Sequence, residues 1–216
     1  MKSLIAKLRQ IRSERSGLAA VEFAIILPFL MVAGITGTEL AWYTMISMRV
    51  SQVAMQVSDN ASRIGETSTV TSRKIYEADI NDLLLGASLD GGNMLKVLNT
   101  GRIIISSLEV KNTNQQYIHW QRCRGLKNVT SSYGAEGDVL AGGMGPTGHK
   151  VQAIEGDAVI FVEVVYDYQP LVTSSFMSNK TIRSIASFNV RNSRDLSQIY
   201  NTPVAPISSC STFSAS

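Results

Sequence analysis

The hydrophobic pattern divides the first third of the chain in two. From Leu18 to Thr38 the residues read LAAVEFAIILPFLMVAGITGT, with Glu22 as the one charge. At about 1.5 Å per residue such a run spans roughly 30 Å as a helix, the thickness of a bilayer core. A helix also satisfies its own backbone, as lipid requires. Beyond it, Trp42, Met45, Ile46, Arg49, Val50, Val53, Ala54, Val57, Ala61 and Ile64 recur at three- and four-residue spacing among Ser, Gln, Asp and Asn, the mark of an amphipathic helix. One helix of about 45 residues is therefore expected, membrane-spanning over 18–40 and amphipathic over 41–64. Trp42 and Tyr43 fall where an interfacial aromatic belt belongs. A break at Gly34 or Gly37 is the alternative, and these glycines would equally let neighbouring helices approach closely.

Residues 65–216 read as an α+β domain. Arg73–Leu85 carries Ile75, Tyr76, Ile80, Leu83 and Leu84 at helical spacing and predicts one further helix. The period then changes to two. Arg102–Asn112, Gln116–Arg122, Ala158–Tyr168 and Lys180–Asn192 read as strands, with Ile160, Val162, Val164, Tyr166 and Tyr168 on one face of the third and Ile182, Ala186, Phe188 and Val190 on one face of the fourth. Strands with no helix between them imply a small antiparallel sheet packed on the long helix. Gly125–Lys150 is a Gly/Ser-rich connection, long for a compact domain unless it is functional or tied down. From Asn201 onward the Pro/Ser/Thr-rich tail is expected to be irregular.

Charge sharpens the reading of the N-terminus. Residues 1–17 hold Lys2, Lys7, Arg9, Arg12 and Arg15 against Glu14 alone, so the formal net charge of +3 resides in a basic leader on a nearly neutral body. Such a leader stays on the cytoplasmic side and puts the rest of the chain across the membrane. Three fates fit a basic segment before an apolar one. It could be a signal peptide cut near Ala33-Gly34 or Thr36-Gly37, an uncut anchor, or a leader removed before the apolar run. Glu22 discriminates, because an acid inside lipid costs a few kcal/mol and calls for a function. Cleavage after Gly17 would create an α-amino group at Leu18, cationic below about pH 8, one turn from Glu22. In an assembling bundle the carboxylate of one subunit can then pair with the amine of its neighbour, where low dielectric strengthens the attraction.

The stretch Gly17-Leu18-Ala19-Ala20-Val21-Glu22-Phe23-Ala24 resembles the Gly-x-x-x-x-Glu-aromatic processing motif of type IVb prepilins. GLAAVEFAIILPFLMV as a whole resembles the TadE-like pseudopilins of tight-adherence (Tad/Flp) pilus systems. More weakly, so do Trp120-Gln121-Arg122-Cys123-Arg124-Gly125 and Val162-Glu163-Val164-Val165-Tyr166-Asp167-Tyr168-Gln169-Pro170-Leu171. The resemblance implies a pilin-like fold and a non-enzymatic minor pilin in the bacterial inner membrane, with its domain in the periplasm. It implies that Gly17 and Leu18 flank the cut of a prepilin peptidase, and that Glu22 governs processing and assembly. The implied partners are that peptidase, other pilins and the inner-membrane assembly platform. Related major pilins carry Tyr where this chain has Phe23, so a hydroxyl is missing there while the aromatic plug remains. Pro28 fits a loosened helix and equally a tolerated transmembrane proline. The rival reading is a periplasmic binding or enzymatic domain on a conventional signal peptide or anchor; a non-cleaved TadG-like envelope component is disfavoured by the short length.

Cys123 and Cys210 are the only cysteines, and both fall in the part expected outside the cytoplasm, where a disulfide is the natural inference and two free thiols the alternative. A bridge closing about 87 residues is worth roughly 4–5 kcal/mol on entropic grounds. Other chemistry is sparse. His119 and His149 are the only histidines, too few for a metal cluster, and His119 beside Trp120 suits a half-exposed structural place. Gly142-Gly143-Met144-Gly145-Pro146-Thr147-Gly148-His149-Lys150 lacks the Gly-Lys-Ser/Thr ending of a phosphate loop, and Val151 onward reads as strand. Asp157, Glu163 and Asp167 read as solvated outward positions on one strand face rather than as paired catalytic carboxylates. No basic stripe with interleaved aromatics supports nucleic-acid binding. No cofactor, metal or small-molecule substrate is expected.

Overall fold

A computed structural model of the protein describes residues 16–65, 72–111, 114–172, 180–191 and 193–215; the basic leader up to Arg15 lies outside them. The chain is α+β, a long helix and a shorter one on a four-stranded antiparallel sheet. Helix α1, Ser16–Arg63, is continuous and passes through Pro28, Gly34 and Gly37, so the alternative of two helices falls away. Its second half buries Ile46, Val50, Val53, Ala54, Val57 and Ala61. Met45 and Arg49, which the spacing placed on the same stripe, face outward, while Ser58 and Ser62 are buried with the apolar residues. Ser58 donates to Ile160 O (3.2 Å) and Ser51 pairs with Ser184 (3.2 Å), fixing the helix on the sheet. Arg194 closes the helix end, donating from Nη2 to Ala61 O (3.0 Å) and Ile64 O (2.9 Å), carbonyls that have no partner within the helix. Burial lowers the pKa of that guanidinium to about 10.

The second helix departs from the expected Arg73–Leu85. Helix α2 is Glu77–Leu95, followed by the single turn α3, Val97–Thr100. Its start is late because the preceding residues are claimed by the C-terminal segment: Arg73 N donates to Ser193 O, and Tyr76 bridges Tyr200. Its end is late because Ala87, Leu95, Val97 and Leu98 are buried in the core, a tertiary gain that outweighs the poor helix propensity of glycine. Gly92, at φ 57°, breaks the helical path just before that last anchor, a conformation open to a residue without a Cβ.

The strands β1 (Gly101–Lys111), β2 (Gln115–Arg124), β3 (Val159–Asp167) and β4 (Thr181–Asn189) match the four expected segments with ends moved by one to three residues. They lie in the order β2-β1-β3-β4, all antiparallel, with a register shift at Ser107/Leu108 in the β1–β2 hairpin. The inner face, with Ile103, Ile105, Ile160, Val162, Val164, Tyr166 and Ile182, forms the main core with α1 and α2. Each such side chain, fully buried, is worth about 1.5–3 kcal/mol.

The outer face is covered too. Leu108, Ile118, Met144, Ala153, Val159 and Phe161 form a second cluster, roofed by Tyr133, Leu140 and Val151. The connection 125–150 is therefore a packed layer: Ile118 N donates to Asp138 O, Leu140 N to Gln116 O, and Met144 exchanges bonds with Val151. Val151 makes that one bridge, and residues 152–158 form no strand before β3 begins, contrary to the strand expected from Val151 onward. This layer also overturns the outward placement of Glu163. That residue is buried, its carboxylate accepting from Ser131 Oγ and from Ser132 N (3.1 Å).

Candidate functional site

The chemistry-bearing groups fall at three places: the bare half of α1, the joint where α1 meets the domain, and the disulfide-bound tail. All of residues 17–38 are exposed, including Gly17, Leu18, Glu22 and Phe23. By length and composition the helix Gly17–Arg63 can cross a membrane, and none of its apolar window is covered by the domain. Thr36 and Thr38 direct their hydroxyls to Val32 O (2.7 Å) and Gly34 O (2.8 Å), the back-bonding that hides a hydroxyl donor within a helix. Glu22 has no such internal outlet: it makes no hydrogen bond or ion pair among the described residues. No Cβ added at Gly17, Gly34 or Gly37 would meet anything within 4 Å, so these glycines answer to no packing inside the protomer.

One residue past the apolar run the picture reverses. Glu39 is buried, and its carboxylate accepts from Tyr168 Oη, Leu171 N (3.3 Å) and Val172 N (3.0 Å). Beside it Trp42 Nε1 donates to Gln169 O (3.2 Å), and the rings of Tyr43 and Tyr168 meet edge to face at 5.1 Å. Burial, then the hydrogen bond to Glu39, pushes the Tyr168 phenol well above its ordinary range. The segment after β3 is thus fastened to α1 where the helix leaves its apolar half. Sequence reasoning missed this joint. The available signal was phase: Glu39 precedes Ile46 by two turns and so lies on the core-facing stripe.

The tail from Asn201 onward is irregular, as expected, yet firmly held. Cys123 and Cys210 form a disulfide with Cα atoms 4.7 Å apart across a separation of 87 residues. Around it, Cys123 N donates to Ser208 O (2.8 Å) and Gly125 N to Ser214 O (2.7 Å). The buried Arg102 guanidinium donates to Gly125 O (3.2 Å) and Cys210 O (2.8 Å) and lies over the Phe213 ring at 4.2 Å. Nearby, α2 is tied to β2 by an ion pair, Arg122 Nη2 at 2.6 Å from Glu77, and by a hydrogen bond that Arg124 Nη2 donates to Asn81 Oδ1 (2.9 Å).

The remaining candidates have structural work. His119 is half-buried, its Nδ1 at 2.8 Å from Glu109, whose other oxygen accepts from Ser107 Oγ (2.7 Å). The hydrogen bond to Glu109 raises the imidazole pKa against the opposing effect of burial. The carboxylate lies between His119 and the hydroxyl, so Ser107 and His119 do not make the direct nucleophile–imidazole contact of a Ser–His pair. Burial pushes the Asp167 carboxyl up, but the Lys127 ammonium at 2.5 Å and Thr181 outweigh it and hold the pKa below its usual value. His149 and Lys150 lie in the turn between Met144 and Val151, where Lys150 Nζ donates to Ala141 O. Among the described residues no group of three or more His, Cys, Asp or Glu could hold a metal ion.

A search of protein-family models, of curated proteins and of solved structures returned no match to the chain.

Proposed function

We propose that this protein is a minor pilin or pseudopilin of a Tad-type pilus system, a non-enzymatic subunit that acts by helix packing. The single observation carrying the reading is the spacing Gly17…Glu22 at a junction of basic and apolar sequence. The unpartnered, exposed state of Glu22 within the apolar half of the helix supports it. In this reading the leader stays in the cytoplasm, a prepilin peptidase cuts between Gly17 and Leu18, and the domain lies in the periplasm. The Leu18 ammonium of one subunit then neutralises Glu22 of the next, so that a misplaced stagger leaves an uncompensated charge in low dielectric. Phe23 fills space beside that pair. Other pilins, the assembly platform of the inner membrane and lipid are the partners, in a protein serving adhesion.

The N-terminus of the mature protein is the decisive measurement. A start at Leu18 supports the proposal; a start near Ile35 or Glu39 points to conventional signal cleavage, and an intact Met1 to a plain anchor. Gly17→Ala is expected to leave the precursor uncut, and Glu22→Ala to leave the protein in the membrane while depleting pili. Wild-type piliation in the latter variant removes the charge pairing.

A further inference from the structure

We propose that the stretch 168–172 directly following β3, ending in Leu171 and Val172, lies in the membrane–water interface beside the emerging helix and gives the domain a second contact with lipid. The inference rests on α1 crossing the membrane; it adds a place where the domain itself meets the bilayer. Glu39 follows directly on the apolar run that ends at Thr38. Atoms bonded to its carboxylate therefore lie within about one helical turn, roughly 5 Å, of the end of that run. Those atoms include the amides of Leu171 and Val172.

Four features make this stretch suited to lipid. Leu171 and Val172 are 53% and 51% exposed, and Leu40 beside Glu39 on the helix is 54% exposed. Scattered apolar residues on a surface are ordinary, but these are held at the exit of an apolar helix. The stretch Tyr168-Gln169-Pro170-Leu171-Val172 carries no charged side chain. Most decisive is the backbone. Irregular chain is excluded from lipid because its amides lose their partners, and burying such a group unpaired is costly. Here Glu39 takes the amides of Leu171 and Val172 and Pro170 has none, so these three residues can leave water without orphaning a backbone donor. Trp42, bonded to Gln169 O, supplies the amphipathic ring typical of that depth.

The test uses the full chain with an environment-sensitive fluorophore on Leu171→Cys or, as the control, on Val204→Cys; Val204 is 90% exposed in the tail. Each protein is reconstituted into phosphatidylcholine–phosphatidylglycerol vesicles with and without lipids spin-labelled near the headgroup. The fluorophore at 171 is expected to shift to the blue and to be quenched several-fold more than that at 204. Adding Glu39→Ala is expected to reduce that quenching toward the control. Equal quenching at the two positions in protein that floats with the vesicles overturns the second contact and leaves the anchor standing. Failure to float overturns the membrane reading and the second contact together.

Discussion

Glu22 and Glu39 sit on the same helix, seventeen residues apart in sequence, and the protomer treats them in opposite ways. Glu39 is surrounded: a phenol and two amides donate to it, and a strand end folds over it. Glu22 is given nothing, and neither is any residue around it. The same contrast holds along the whole of α1, whose second half is buried against α2 and the sheet while its first half, the most apolar stretch in the chain, is bare. A folding chain that leaves its most apolar segment uncovered has another phase or another molecule to cover it. A carboxylate inside that segment is costly in lipid, and the proposed pairing with a neighbour's Leu18 ammonium would offset that cost.

That contrast can be broken first at the tail. Cys210→Ser removes the bridge that shuts the tail onto β2 and is expected to cost the domain about 4–5 kcal/mol, read as a lower denaturation midpoint in detergent. Membrane insertion should be unchanged, because the apolar half touches nothing the bridge holds. Truncation within the helix sharpens the comparison directly. Ile46→Ala in the buried half is expected to cost about 2–5 kcal/mol, whereas Ile26→Ala in the bare half should leave unfolding within about 0.5 kcal/mol of the parent. Equal losses would mean that the bare half is packed after all.

Glu39→Ala comes next, at about 1–3 kcal/mol for the donors it orphans. Hydrogen exchange should report it locally, as faster exchange of the Leu171 and Val172 amides with the β3 ladder unaffected. The smallest effect is a slope in pH. Burial raises the Glu163 pKa, opposed by its bonds to Ser131 and Ser132 and by Arg183. The folded state therefore holds this proton more tightly than the unfolded chain does. The resulting stabilisation is complete below the unfolded carboxylate range and is lost as pH rises through the folded value. Glu163→Gln should remove that fall, so that the difference between variant and parent in thermal midpoint changes with pH across this window and is flat outside it.

Much of the architecture could be read from periodicity. The long helix, the four strands and the sheet face carrying Ile160, Val162, Val164 and Tyr166 follow from spacing alone, because one face of each element must meet a core. Where the reading failed, contacts distant in sequence decided. α2 starts late because Ser193 O takes the amide of Arg73, and Tyr200 bonds to Ile75 O and Glu77 N on either side of Tyr76. Glu163 is inside because residues 125–150, poor in hydrophobic period, nonetheless fold back as a cover.

The same division runs through the candidate site. The positions of Gly17, Leu18, Glu22 and Phe23 on an apolar helix are local facts, since a helix 1.5 Å per residue long places them whatever else the chain does. That Cys123 and Cys210 are the only two cysteines was equally plain from the chain, and their pairing needed only that the tail return to β2. Glu39 was different. A carboxylate just beyond an apolar run reads as a solvated end, and its burial depends on Tyr168, Leu171 and Val172 arriving from 129 or more residues away. Periodicity fixes what a residue's own helix or strand does with it; only the folded chain supplies the donors that let an acid be buried, because hydrogen-bond partners are chosen in space and not along the sequence.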